Sequence, residues 1–287
     1  MIHVREFTDP ACPYAFSAEP AIWRLRWLYG NGLDWETRMV VLSESPDEYA
    51  AKGFTLERQT TALKSLQNKY GMPIDWSPRP RMSATVQACR SVVATRLHDP
   101  ANEWRILRAL RVRTMAGELL DDQSTIDGAA RDAGIDPNDL ARWTADPAVA
   151  AALRDDRAAA RRPSSASLAQ IHKLAPNGDD GQRYTCPSLE LTGPDGRRSD
   201  LPGFQPVEVY EAAIANLDPT LERHAAPESV EGVLAWAGVP LATVEVATVM
   251  GIEPADARAE LARVASEDPV GPDGYWSLPA AADRIAA

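Results

Sequence analysis

The segment His3-Val4-Arg5-Glu6-Phe7 alternates apolar and polar side chains as a strand does, and Thr8-Asp9-Pro10-Ala11-Cys12-Pro13 follows it with turn formers. Helical spacing then takes over. Ile22, Leu25 and Leu28 recur on one face, with Trp23 and Trp27 beside them, until Gly30-Asn31-Gly32 ends the run. From Leu33 to Leu42 the period returns to two, with Leu33, Trp35, Thr37, Met39 and Val41 on one side and Asp34, Glu36 and Arg38 on the other. A strand, a helix and a strand in so short a stretch predict a parallel pair with a right-handed crossover.

From Ser45 to Arg162 the strand pattern disappears and amphipathic helical patterns replace it, interrupted around Pro73, Pro78 and Pro80 and at Gly134-Ile135-Asp136-Pro137. The clearest helices are Glu103–Met115, through Trp104, Leu107, Leu110 and Val112, and the alanine-rich Pro147–Ala160. Arg161 to Arg183, with Pro163, Ser164, Ser165, Asn177, Gly178 and Asp179, predicts a loop carrying one short helix around Ile171. Strand character resumes at Pro187-Ser188-Leu189-Glu190-Leu191. The turn Gly193-Pro194-Asp195-Gly196 and a partner strand Arg197–Leu201 complete a hairpin. Pro206 opens a helix whose inner face is Val209, Tyr210, Ala213, Ile214 and Leu217. The tail from Pro227 repeats short helical patterns (Val233, Leu234, Trp236; Val244, Val246, Val249; Ala257, Leu261, Val264) and ends in a two-stranded wing at Gly271–Trp276.

Length and composition narrow the function classes. The 287 residues, 45% hydrophobic and 25% charged, suit about two globular domains with a substantial core. A net charge of −11 opposes phosphate backbones and anionic lipid, so nucleic-acid and membrane partners are not expected. No apolar run reaches the roughly 18 residues of a membrane span, and His3, Arg5 and Glu6 occupy the place of a signal-peptide core. A cytoplasmic location is therefore expected. Cys12, Cys89 and Cys186 are spaced neither as a disulfide framework nor as zinc ligands, and no metal site is expected.

Cys12 stands between a strand and a helix start, where exposed amides and the helix dipole lower a thiol's pKa and raise its reactive fraction. A small apolar residue buried at a turn accounts equally well for the local pattern.

The string Asp9-Pro10-Ala11-Cys12-Pro13-Tyr14-Ala15-Phe16-Ser17-Ala18-Glu19-Pro20 changes this balance. It resembles the active-site turn of DsbA-like thioredoxin-fold proteins, in particular the branch containing FrnE, 2-hydroxychromene-2-carboxylate isomerases, kappa-class glutathione transferases and SpxH adaptors. Pro20 is similar to the proline that kinks the first thioredoxin helix, and Glu19-Pro20 with Arg24-Leu25 looks like the adaptor subgroup. The family interrupts its fold with a helical insertion, as Ser45 to Arg162 would, and resumes with a strand opened by a cis-proline, as Thr185-Cys186-Pro187-Ser188-Leu189 would. The resemblance covers roughly residues 3 to 217. It implies an α/β thioredoxin-like domain (1–44 and 184–218) interrupted by an all-helical insertion (45–183); beyond it, the helix-turn-helix rhythm and the wing predict a small winged-helix-like tail (225–287).

The departure lies at Ala15, where disulfide-exchanging relatives carry a second cysteine. A dithiol cycle confined to the turn is thereby excluded. Three functions remain: a monothiol thiol-disulfide oxidoreductase with Cys12 as nucleophile; a thiol-dependent isomerase or transferase; and a redox-inactive adaptor that holds a protein client. The resemblance places Cys186 against the Cys12 sulfur, either as a resolving thiol or as a small filler, and assigns substrate contact to Pro13, Tyr14, Thr185 and Pro187. It implies no bound cofactor beyond a low-molecular-weight thiol as co-substrate, and a thiol- or disulfide-bearing partner.

The other chemistry-bearing residues favour structural roles. Cys89, in Ala84-Thr85-Val86-Gln87-Ala88-Cys89-Arg90, fits packing; the four histidines form no cluster, although His172 precedes the proline strand; and the eight tryptophans suit core or groove lining. Tyr14 is either a hydrogen-bond donor or a rim aromatic. The tail has a helix-turn-helix rhythm at Leu241–Ser266, but from Ala225 onward its ten acids outnumber three bases, which favours protein contact over DNA.

Overall fold

The computed structural model describes residues 1–178 and 181–279. Asp179 of the expected loop, and Asp283 and Arg284 of the tail's charge count, lie outside them. Four strands form the central sheet, in the spatial order Leu33–Met39, Ile2–Thr8, Ser188–Thr192 and Arg198–Leu201. Strand β1 (Ile2–Thr8) leads through α1 (Pro13–Ser17) and α2 (Glu19–Tyr29) to β2 (Leu33–Met39), which pairs parallel to β1 from Ile2↔Leu33 to Thr8↔Met39. The expected parallel unit is present, but β2 stops at Met39 instead of running to Leu42. Val41 adopts φ +55°, a left-handed backbone costly for a β-branched residue, and Arg161 donates to the carbonyls of Val40 and Val41 on either side of the bend.

The insertion follows as α3 (Asp47–Ala51), α4 (Leu56–Tyr70), α5 (Val86–His98), α6 (Glu103–Met115), α7 (Gln123–Asp132), α8 (Pro137–Thr144) and α9 (Pro147–Ala160). Val92, Val93, Ile106, Leu110, Ala129 and Val149 form its core, which joins the sheet through Met39 and Val41. The segment 161–183 holds more structure than its polar sequence suggests: α10 (Ser165–Leu168), a 3₁₀ turn at Ile171–Lys173, and β3 (Ala175–Pro176) paired with β4 (Gln182–Arg183). A cap explains α10, for the Ser164 hydroxyl accepts from the Ser167 amide.

Strand β5 (Ser188–Thr192) pairs antiparallel to β1, and β6 (Arg198–Leu201) pairs antiparallel to β5. Helix α11 (Val207–Leu217) returns to the face covered by α2, where Ile2, Val4, Leu189 and Leu191 meet Leu25, Tyr210 and Ile214. Val209, expected on the inner face of α11, is 38% exposed. It neighbours Tyr210 in sequence, and adjacent helical positions point about 100° apart.

The tail runs α12 (Val230–Ala237), β7 (Leu241–Ala242), α13 (Thr243–Met250), α14 (Pro254–Val264), β8 (Ser266–Val270) and β9 (Asp273–Ser277), with sheet order β7-β9-β8. This is the winged-helix-like order: the wing is the two-stranded hairpin β8–β9, which starts earlier than the expected Gly271–Trp276, and β7 adds a third strand to its sheet. It packs on α2, where Trp23 joins Val233, Leu234, Val249, Leu261 and Trp276 in one cluster. Trp236 lies at the rim, edge-on to Trp23 and Trp27 and partly exposed, instead of inside. The wing turn also backs onto the insertion. Gly271 has φ +60°, and a Cβ there would lie 2.4 Å from the Ile74 carbonyl oxygen, so only glycine fits. No described helix is long and apolar enough to cross a membrane.

Candidate functional site

Cys12 closes the turn after β1. Its amide donates to the Asp9 carbonyl at 3.1 Å, and its own carbonyl accepts from the Phe16 amide at 3.0 Å as the first bond of α1. Pro13 fits the first helical position because the missing amide hydrogen is not needed there. Helix α1 lasts five residues before Ala18 interrupts it and α2 begins, with Pro20 in the first turn of α2. The dipole expected at Cys12 is therefore that of a single turn, and individual donors account for the sulfur's environment.

The Cys186–Pro187 peptide is cis, and the chain there passes over the turn. The Cys12 thiol donates to the Cys186 carbonyl at 3.2 Å, across 174 positions of sequence. Both cysteines are free and lie in one apolar cluster with Phe7, Ala15, Val40, Leu174 and Tyr184. The Cys186 side chain, assisted by the amides of Ala15 and Tyr14, draws the Cys12 thiol below the ordinary cysteine range, against burial and the charge of Asp9. Burial and the Cys12 sulfur push the Cys186 thiol well up. The anion of the pair thus forms on Cys12, and Cys186 keeps its hydrogen. In the neutral state Cys12 spends its hydrogen on a carbonyl, a contact that opposes ionisation, so the Cys186 S–H is the compensating donor for the thiolate.

Behind this pair lies Asp9, wholly buried. Its carboxylate accepts from the Leu42 amide (2.8 Å), the Ala11 amide (2.9 Å), the Thr85 hydroxyl (2.9 Å) and the Cys89 thiol (3.4 Å). Burial raises its pKa, and these donors limit the rise. Asp9 thereby ties the turn to the end of β2 and the start of α5. Cys89 packs in the core as expected, and its thiol, pushed well up by burial and by Asp9, stays a donor.

Cys12 retains 7% of its surface exposed and lies on the wall of a cleft of about 630 Å³ between the turn and the insertion. Leu42, Phe54, Leu63, Met82, Met115 and Leu119 supply apolar walls. Lys52, Arg58, Arg79, Arg81 and Arg183 supply positive charge against the single acid Glu118, which reverses the sign of the whole chain locally. Asp121 and Asp122 hold Arg81 at 2.7 and 2.6 Å. Among the described residues Arg58 and Arg183 meet no carboxylate and donate only to the Gly53 and Tyr184 carbonyls, each at 2.9 Å.

Cys12, Pro13, Tyr14, Thr185 and Cys186 all line this cleft. Pro187 does not: it is buried behind Cys186, so the edge open to a ligand is formed by the two residues before it. The Thr185 hydroxyl is taken by the Lys173 carbonyl at 2.7 Å, while among the described residues no hydrogen bond engages the amides of Thr185 and Cys186. Tyr14, 48% exposed, is a rim aromatic. The exposed His172 lies outside the cleft, as do the other histidines: His98 stacks on Trp143, His3 bonds Asp34 and Glu36, and His224 bonds the Trp27 carbonyl. Sequence reasoning missed Asp9 and the opposite wall of Tyr49, Phe54 and Arg58. Neither carried a local signal: Asp9 before Pro10 reads as a turn former, and α3 and α4 reach the cleft only through tertiary packing.

A family model for the DSBA-like thioredoxin domain matches residues 3–164, the sheet entry, the turn and the insertion. The chain belongs to the DsbA-like thioredoxin family. Solved structures agree on the fold. A Nitrosomonas europaea protein described as a disulfide isomerase superposes with a TM-score of 0.57 at 16% identity, covering 75% of this chain and 96% of its own. A DsbA oxidoreductase of Streptomyces coelicolor gives 0.54 at 18% identity over 77% and 91%. The cytosolic disulfide reductase DsbM of Pseudomonas aeruginosa, also solved with glutathione, gives 0.51 at 14% identity over 76% and 98%. No curated protein sequence matches the chain.

Proposed function

We propose that this family member is a thiol-disulfide oxidoreductase of monothiol type, with Cys12 as the nucleophile of a Cys-Pro-Tyr-Ala turn. The observation that carries this reading is the Cys12 sulfur on the cleft wall, its pKa lowered beside a thiol that stays protonated. The Cys12 thiolate attacks one sulfur of a substrate disulfide, the other sulfur leaves as a thiolate and takes a proton from water, and a mixed disulfide remains on Cys12. Ala15 offers no second thiol in the turn, so a thiol from outside the turn releases it.

The unengaged amides of Thr185 and Cys186 suit the main chain of an extended substrate. The five cations of the cleft, two of them without a carboxylate partner among the described residues, favour a thiol or disulfide bearing carboxylates. A peptide thiol such as the glutathione held by DsbM has this chemistry. The reading suits a reducing cytoplasm, where a thiol pool returns the enzyme.

The test is glutathione-dependent reduction of hydroxyethyl disulfide. Cys12→Ser should lower the rate by about 1000-fold or more, because the reacting atom is gone. Activity retained in Cys12→Ser sinks the enzyme, and client binding unchanged by the same substitution then favours an adaptor.

A further inference from the structure

We propose that Cys186 is the resolving thiol of this site, so that Cys12 and Cys186 form the dithiol pair that the turn itself lacks. The inference rests on Cys12 being the nucleophile. Its geometric basis is the 3.2 Å contact between the Cys12 sulfur and the Cys186 carbonyl oxygen, an atom two bonds from the Cys186 Cα. Both side chains share one apolar cluster and both line the cleft. A disulfide needs Cα atoms roughly 4.4–6.8 Å apart, and a sulfur touching its partner's main chain brings the two residues close to that range, so that side-chain rotation with a small backbone shift closes the bond.

The chemistry balances with a substrate disulfide as the oxidant. In the first step the Cys12 thiolate forms a mixed disulfide and expels one substrate thiolate. In the second the Cys186 sulfur attacks the Cys12 sulfur, the Cys12–Cys186 bond forms, and the second substrate sulfur leaves carrying the Cys186 proton. One substrate disulfide is reduced to two thiols, and two cysteine thiols are oxidised to one disulfide. Two equivalents of external thiol reverse it.

Electrostatics set the order of events. While Cys12 is an anion, its sulfur and burial together hold Cys186 protonated. Once Cys12 is bound in a mixed disulfide that charge has gone and Arg183, on the same cleft wall, still favours the Cys186 thiolate, while burial and the charge of Asp9 still oppose it. Cys186 is thus more readily ionised after Cys12 has reacted than before. An internal thiol held against the reacting sulfur also acts at an effective concentration far above that of a dissolved one.

Reduced protein treated with oxidised glutathione, blocked with an alkylating reagent and weighed intact tests this. The wild type should pass through a glutathione adduct on Cys12 to a species two hydrogens lighter than the reduced chain, with one peptide joining Cys12 to Cys186. Cys186→Ser should stop at the adduct and accumulate it at least tenfold over the wild type, and Cys186→Ala should do the same if serine disturbs the fold. A wild type that stops at the adduct like Cys186→Ser overturns the resolving role and leaves the monothiol reading intact. A bond mapping to Cys89 also overturns it. No adduct on any form overturns both.

Discussion

Cys12 caps α1 and Glu19 opens α2 seven positions later; both residues are buried, but the two are treated in opposite ways. Glu19 is locked. Arg111 bonds it and also reaches Glu6 and Thr8, while Arg108 lies 3.5 Å from Glu19 and forms a two-pronged pair with Glu245 of α13 at 2.7 and 2.8 Å. None of these ionic side chains is more than 8% exposed. Sheet, insertion and tail are joined there by charges that compensate one another. Around Cys12 compensation is partial: one acceptor carbonyl, one reluctant thiol, two amides and an acid behind. Buried charge paired with opposite charge makes a joint, and buried charge short of such partners leaves a group able to react.

Removing a partner from the joint gives the largest effect. Arg111→Met leaves Glu6 and Glu19 buried without their shared guanidinium and should cost about 3–5 kcal/mol in urea unfolding. A loss below about 1 kcal/mol would mean that water already enters this region, and the contrast with the sulfur site would fail.

A second effect sharpens the contrast on the same helix. Glu103, in the first turn of α6, is mostly buried, with one carboxyl oxygen unbonded and Arg96 only at 3.9 Å. Burial, above all, pushes its pKa up to about 7. The folded chain therefore holds a proton that the unfolded chain releases near the usual carboxylate value. The stability this contributes is complete below that value and is lost as pH rises through about 7. The change is at most about 3–4 kcal/mol, from 1.36 kcal/mol per pH unit. Glu103→Gln should flatten the fall in urea midpoint between about pH 5 and 8. A wild-type-minus-variant difference constant across that range would assign the slope elsewhere.

The sequence made one side of this comparison readable and hid the other. Local order was legible where periodicity and turn chemistry act alone: Glu103–Met115 and Pro147–Ala160 stand as helices over the bounds that patterning predicts. The turn and the proline strand were legible through resemblance, which placed Cys12 and Cys186 together before any contact was visible. The joint was not, because Arg108 and Arg111 look like the solvated side of an amphipathic helix until Glu19, Glu6 and Glu245 arrive from three distant segments. Asp9 was hidden for a related reason, since an aspartate before a proline reads as a turn former whether or not it is buried. The end of β2 was missed because apolar alternation continues through Val41, while Asp9 and Arg161 bend the backbone there through long-range hydrogen bonds.

The smallest effect probes the sulfur site directly. In a Cys89→Ala, Cys186→Ala background only Cys12 can react with iodoacetamide, and its rate against pH reports the thiolate fraction. In the Cys89→Ala background, with Cys186 present, the Cys12 rate is read by peptide mapping. The Cys186 side chain is the largest cause of the lowered Cys12 pKa, so its removal should move the Cys12 midpoint upward, towards that of the unfolded chain in urea. Burial and the charge of Asp9, which act in the opposite direction, remain in both backgrounds and cannot produce that displacement. If the midpoint stays where it was, the amides of Ala15 and Tyr14 hold the thiolate unaided, and the reactive group belongs to the turn alone. If it rises, the anion is shared across the two chain segments, and the reactivity of the first helix start depends on a residue 174 positions away.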